Sequence, residues 1–177
     1  MIKKSLPILV LVIVASLSVA GCTTSTPSTN TVTPSSPVSS DLAADLNKAF
    51  TDQGITIVSQ FTKTTNQYGN AVYAGVVKDG NTGTTPSVHN ITIEEAKNQN
   101  DSEARFATDV AQAQKAGYSQ VTNTSGDWWG TTGQGGSISK AVTVRISEPN
   151  DPISLYRMVI DVQHTNYTVN VDYTTLQ

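Results

Sequence analysis

From Tyr167 to Thr174, the residues Tyr167, Val169, Val171 and Tyr173 alternate with Thr168, Asn170, Asp172 and Thr174. A strict two-residue period marks an extended strand that lays one edge of its pleat on a core. A slip of one residue would turn the whole apolar set outward, so this stretch must sit in a sheet in a fixed register. Val142, Val144 and Ile146 repeat the pattern against Thr143, Arg145 and Ser147. A longer strand is expected over Ile153 to Gln163, with Tyr156, Met158, Ile160 and Val162 on one side. The connections at Glu148–Pro152 and His164–Asn166 are short. Parallel neighbours need a long crossover, so these strands should pair antiparallel. Their polar alternate positions predict a sheet with one covered face.

The first half supplies the cover. Leu42, Leu46, Ala49 and Phe50 follow helical spacing after a capping Ser40, and Gly54 supplies the left-handed exit. Strands are expected over Ile55–Thr62 and Ala71–Lys78 and around Ile91 and Ile93, with turns at Asn66–Asn70 and from Asp79 to Pro86. A second helix should begin at a capping Asn100 answered by Glu103. Phe106, Val110, Ala113 and Gly117 form its apolar stripe, widened by Ala104, Ala107 and Ala111. The expected fold class is α+β: a mainly antiparallel sheet of six to seven strands with two helices packed on one face. Gly54-Ile55 and Gly117-Tyr118 each join a helix to a strand, which reads as an α-β-β-β duplication.

The N-terminus is of another kind. Lys3 and Lys4 precede an apolar run from Leu6 to Ala20, too short and too interrupted by Pro7 to be a good spanning helix. Ala20 and Gly21 then precede Cys22, the single cysteine of the chain. This layout predicts a signal peptide over residues 1–21. Val19-Ala20-Gly21-Cys22 resembles the lipobox of prokaryotic lipoproteins. The resemblance implies a diacylglyceryl group on the Cys22 sulfur, followed by cleavage that leaves Cys22 as the first residue. It also implies localisation at the cell membrane, facing outside the cytoplasm, with two acyl chains giving a stable hold. Thr23 to Ser40 carries no charge, twelve Ser or Thr and three prolines. Such a segment cannot bury enough apolar surface to order itself and reads as a tether. Residues 22–40 are thus the lipidated cysteine and its tether, and 41–177 a single α+β domain. The Thr-rich, acidic style of that domain is similar to surface lipoproteins of methanogenic archaea.

Charge and motifs bound the function. Removing Lys3 and Lys4 takes the net charge from −3 to −5, with no basic patch, so nucleic acid is not an expected partner. With Cys22 committed to lipid and His89 and His164 the only histidines, no metal site is expected, and both histidines read as surface residues. The stretch from Asp79 to Gly83 is similar to the start of a calcium loop, but Asn90 stands where its closing carboxylate belongs. Ser137-Ile138-Ser139-Lys140 has the S-x-x-K spacing without the companion motifs of the enzymes that use it. No cofactor fingerprint or nucleophile setting is recognisable, so no catalytic residue is expected. The conspicuous stretch is GDWWGTTGQGG, Gly126 to Gly136, which carries both tryptophans. Read as a glycine-rich loop, it would expose Trp128 and Trp129, whose flat faces and N–H donors suit stacking on a sugar or anchoring a partner. The opposing expectation has one tryptophan plugging the core while the other shields it. The expected function is therefore a membrane-anchored extracytoplasmic lipoprotein that binds or scaffolds without catalysis. Its partners would be the membrane, through the Cys22 lipid, and an envelope protein or glycan. The alternative is a small envelope hydrolase acting on glycan or peptide.

Overall fold

A computed structural model describes residues 41–80, 86–133 and 138–176. The signal segment, Cys22, the tether with Ser40, residues 81–85 with the end of the calcium-like stretch, and residues 134–137 with the end of the GDWWGTTGQGG run and Ser137 of S-x-x-K lie outside them.

Helix α1 (Leu42–Asp52) starts at Asp41, whose carboxylate accepts the Ala44 N–H at 3.2 Å. Its end is a Schellman turn: Gly54 has φ 73°, with Gly54 N–H on Thr51 O at 2.9 Å and Ile55 N–H on Phe50 O at 3.0 Å. Helix α2 (Gln99–Lys115) closes the same way through Gly117 at φ 91°, Gly117 to Gln114 at 3.0 Å and Tyr118 to Ala113 at 3.2 Å. Its cap is Asn98, two residues before the expected Asn100, and the Asn98 side chain accepts the Asp101 N–H at 3.0 Å. Only Ser102 and Ala113 of α2 are fully buried, while Ala104, Ala107 and Ala111 face outward.

Strands β1 (Thr56–Thr65), β2 (Ala71–Asp79) and β3 (Ser87–Ala96) form one antiparallel meander after α1. Strands β4 (Ser119–Thr124), β5 (Asp127–Thr132) and β6 (Lys140–Ser147) form another after α2. Strand β9 (Tyr167–Leu176) inserts between β3 and β6, giving a seven-stranded antiparallel sheet in the order β1-β2-β3-β9-β6-β5-β4. The α-β-β-β order thus occurs twice, flanking one central strand. The stretch expected as one strand from Ile153 is instead a tight hairpin, β7 (Ile153–Leu155) and β8 (Met158–Ile160), turning at Tyr156-Arg157.

The fold class is α+β as expected, but the placement of the helices needs correction: they do not share a face. Residues paired across an antiparallel ladder point to the same side. Ile91 and Ile93, which pack with α1, pair with Asp172 and Asn170 of β9. Val169 and Val171, which pack with α2, are the intervening residues and therefore point the other way. The physical reason lies in the strand directions. Both β3 and β6 run antiparallel to β9 and so parallel to each other, which relates the two meanders by a rotation about the β9 axis. That rotation carries one helix to the opposite face.

The first core joins α1, β1–β3 and the β7–β8 hairpin around Leu46, Phe50, Tyr73, Ile93, Leu155 and Ile160. Phe61 stacks on Phe50 at 5.2 Å and lies across Gly75, where a Cβ would come within 2.7 Å of the ring. The second core joins α2 to β5, β6 and β9 around Trp128, Val142, Val144, Val169 and Val171.

Candidate functional site

Strand β5 decides the fate of the two tryptophans. Asp127–Thr132 is a paired strand rather than a loop, so adjacent side chains leave on opposite faces. Trp128 is fully buried under α2, its indole lying over Gly130, where a Cβ would stand 2.3 Å from the ring. It has no face to offer, which corrects the expectation that it is an exposed binding residue. Trp129 is half-buried on the other side of the sheet and opens onto a pocket. The opposing expectation, one indole in the core and the other near the surface, describes this arrangement better.

The pocket, about 260 Å³, lies beneath the hairpin turn. Trp129 pairs across the ladder with Thr122 and Thr143, and Asp127 with Arg145, so β4, β5 and β6 deliver these side chains to one face. Tyr156 roofs it, its ring 5.9 Å from that of Trp129 at an angle of 28°. Arg157 sits 5.0 Å over the Tyr156 ring. Its φ of 57° puts a long side chain in the left-handed region, where two-residue hairpin turns favour Gly or Asn. Arg145 Nε donates to Asp127 at 2.9 Å, which fixes the direction of its guanidinium. Four buried side-chain atoms have no hydrogen-bond partner among the described residues: Trp129 Nε1 and Thr143 Oγ1, on residues of the pocket lining, and Thr168 Oγ1 and Asn170 Oδ1 of β9, outside it.

Beneath the roof lies a polar layer. The β9 residues expected to face solvent, Thr168, Asn170, Asp172 and Thr174, are at most 1% exposed. Asp172 holds three donors: His89 Nδ1 at 2.9 Å, Thr174 Oγ1 at 3.2 Å and the Tyr156 N–H at 3.3 Å. The last of these ties the pocket roof to the central strand. His89 is buried, which overturns its reading as a surface residue. His164 is also buried, with ring nitrogens facing the carbonyls of Asn166 at 2.8 Å and Asp151 at 2.7 Å. It joins the two loops flanking the hairpin.

His89, Asp172 and Thr174 are the residue types of a nucleophilic triad, but the geometry differs. A triad histidine uses one nitrogen for the acid and the other for the nucleophile. Here Thr174 Oγ1, at 3.1 Å, and Asp172 both approach Nδ1. The set lies inside the protein and outside the lining of the Trp129 pocket.

A larger cavity, about 590 Å³, opens on the α2 side between that helix and the β1–β2 turn. Its charges largely satisfy one another. Arg105 pairs with Glu94 and, at 3.1 Å, with Asp101, and lies over the Tyr68 ring. Glu94 also accepts from Asn66, and the Lys97 N–H and Arg105 hold the Asp101 carboxyl below its ordinary value. Asp109 differs: burial, then the nearby Glu94 charge, push it up to about 6 despite Arg105. The folded chain therefore binds this proton more tightly than the unfolded chain between about 4 and 6. Stability from this group is present at low pH and is lost as pH rises through that window. This cavity reads as a structural ion-pair network that fastens α2 to the sheet.

The Trp129 residue type was visible in the sequence, but its companions were not. Thr143 and Arg145 come from a strand set beside β5 by register, and Tyr156 and Arg157 from a hairpin turn brought over it by packing. Among the described residues no group of three or more His, Cys, Asp or Glu could hold a metal ion. None of their helices is long and apolar enough to cross a membrane. No protein-family model, curated protein or solved structure matches this chain.

Proposed function

We propose that the chain is a lipid-anchored extracytoplasmic lipoprotein whose α+β domain binds a small ligand at the Trp129 pocket without transforming it. One observation carries the binding half. Trp129 and Thr143, whose buried indole N–H and hydroxyl have no hydrogen-bond partner among the described residues, both line a concavity with an aromatic wall. Leaving a buried donor unsatisfied costs roughly 1–3 kcal/mol, a cost that a ligand supplying acceptors would offset. The lipobox-like Val19-Ala20-Gly21-Cys22 and the uncharged tether support the anchoring half.

Each half has its own test. Cys22→Ser should release the protein from membranes or leave its precursor uncleaved, and continued lipid labelling of that variant would refute the anchor. For binding, the full chain and its Trp129→Ala variant are to be compared on an array of envelope glycans and peptides. Signals should appear for the wild type and vanish for a variant that melts cooperatively. Signals of equal strength with both chains, or none with the wild type, would sink the pocket.

A further inference from the structure

Resting on that reading, we propose that the Trp129 pocket takes a carboxylate-bearing monosaccharide, a hexuronic acid unit, free or at the end of a glycan. Arg145 spends its Nε on Asp127 and keeps its remaining N–H groups, and Arg157, exposed, also lines the pocket; behind them the buried Trp129 Nε1 and Thr143 Oγ1 have no partner among the described residues. A guanidinium fork is the match for a planar carboxylate, and two of them stand here against a single, already paired, carboxylate. The lining is thus locally positive in a domain with excess acidic charge. A field of that sign favours an anion over the protein's own surface groups.

The other features give the anion a shape. The stacked Trp129 and Tyr156 rings supply an apolar wall for the C–H groups of a pyranose. The second Asp127 oxygen and the Thr122 hydroxyl can meet ring hydroxyls. A volume near 260 Å³ lies below the range of about 300–1,000 Å³ typical of drug-sized ligands, so it admits one ring rather than a chain. Guanidinium forks also match phosphate, but the single excess positive charge of the lining, Arg145 and Arg157 against Asp127, balances a singly charged carboxylate rather than a doubly charged phosphate ester. The lining here comes from strands and a hairpin turn, and its donors are side chains. Arg157 also holds strained backbone at this site. Its left-handed φ is tolerated at a turn where Gly would be relaxed, and such strain concentrates at binding sites.

The test uses the full chain in detergent, titrated by calorimetry with D-glucuronate, D-galacturonate, D-glucose and acetate. A uronate should bind at least about tenfold more tightly than glucose, because the fork is unmatched by a neutral sugar. It should also exceed acetate by a similar factor, because acetate lacks the ring. Arg157→Gly removes one guanidinium and relaxes the turn. It should cut uronate affinity by about tenfold while leaving the melting temperature unchanged or raised. Equal binding of glucose and uronate, equal binding of acetate and uronate, or an unaltered Arg157→Gly variant would each overturn the acidic-sugar assignment. So would the absence of uronate binding. A Trp129-dependent array signal confined to neutral glycans or peptides would overturn it too, yet keep the pocket. Loss of every Trp129-dependent signal would remove both. A uronate oligomer whose terminal unit binds as the free acid does would identify a glycan end as the source, and binding of the free acid alone would identify a small metabolite.

Discussion

The two sides of the β5–β6–β9 half of the sheet are built from alternate residues of the same strands, yet they are closed by opposite means. On one side Trp128, Val142, Val144, Val169 and Val171 meet α2 in an apolar core. On the other, Trp129, Thr143, Arg145, Asn170 and Asp172 lie toward the β7–β8 hairpin, and the polar members of β9 are as buried as the valines opposite them. The first side gains stability from apolar area removed from water. The second satisfies most of its polar groups internally and, among the described residues, leaves four buried atoms without a partner, two of them on residues that line a pocket. A buried polar layer contributes less to stability than an apolar one and more to where things are held, so function is expected on the polar side.

The sharpest way to break this comparison is to truncate each tryptophan in turn. Trp128→Ala should cost about 3–5 kcal/mol in chemical denaturation, the usual penalty for emptying a core of an aromatic ring. Trp129→Ala should cost on the order of 1 kcal/mol, since the residue is half-exposed beside an existing cavity. Equal losses would erase the distinction between the sides. Next comes Asp172→Ala, which strands His89, Thr174 and the Tyr156 N–H together. A loss of about 2–4 kcal/mol is expected, with amide exchange accelerated at Tyr156 and Arg157 as the roof loosens. Unchanged protection there would detach the pocket from the central strand.

A smaller effect tests the α2 side. Asp109→Asn should raise stability above pH 6 by on the order of 1–2 kcal/mol and flatten the decline of the wild type between about pH 4 and 6. Parallel pH profiles for the two chains would show that Asp109 does not hold its proton in the fold. The smallest change is Arg157→Gly, which should gain about 0.5–1 kcal/mol by relieving the left-handed turn. A loss of stability would mean that the stack on Tyr156 outweighs the strain.

Much of the fold was legible for local reasons. Both helix ends carry Gly at the left-handed position followed by an apolar residue, and β9 has an unbroken two-residue period. Three features were not legible, and each has its cause. The β7–β8 turn contains no Gly, Asn or Pro, and Tyr156, Met158, Ile160 and Val162 keep a two-residue period that begins inside it. The burial of Asp172 and its neighbours depends on a hairpin distant in pattern from β9, and threonine or aspartate at alternate positions ordinarily means solvent. The opposite placement of the helices needs the pairing of Ile93 with Asn170, a fact of register that neither strand carries alone. The site shares this cause: Trp129 stood out, but nothing local linked it to Arg145 or Arg157.

The central claim is that one side of β5 is sealed while the other is open to a small anion. It is tested most directly by quenching the fluorescence of two single-tryptophan chains, Trp128→Phe and Trp129→Phe, with iodide and with caesium. The chain that keeps Trp129 should be quenched strongly, and more by iodide than by caesium, because two guanidiniums line its pocket. The chain that keeps Trp128 should resist both ions. Equal quenching of the two chains, or a preference of Trp129 for caesium, would contradict the account.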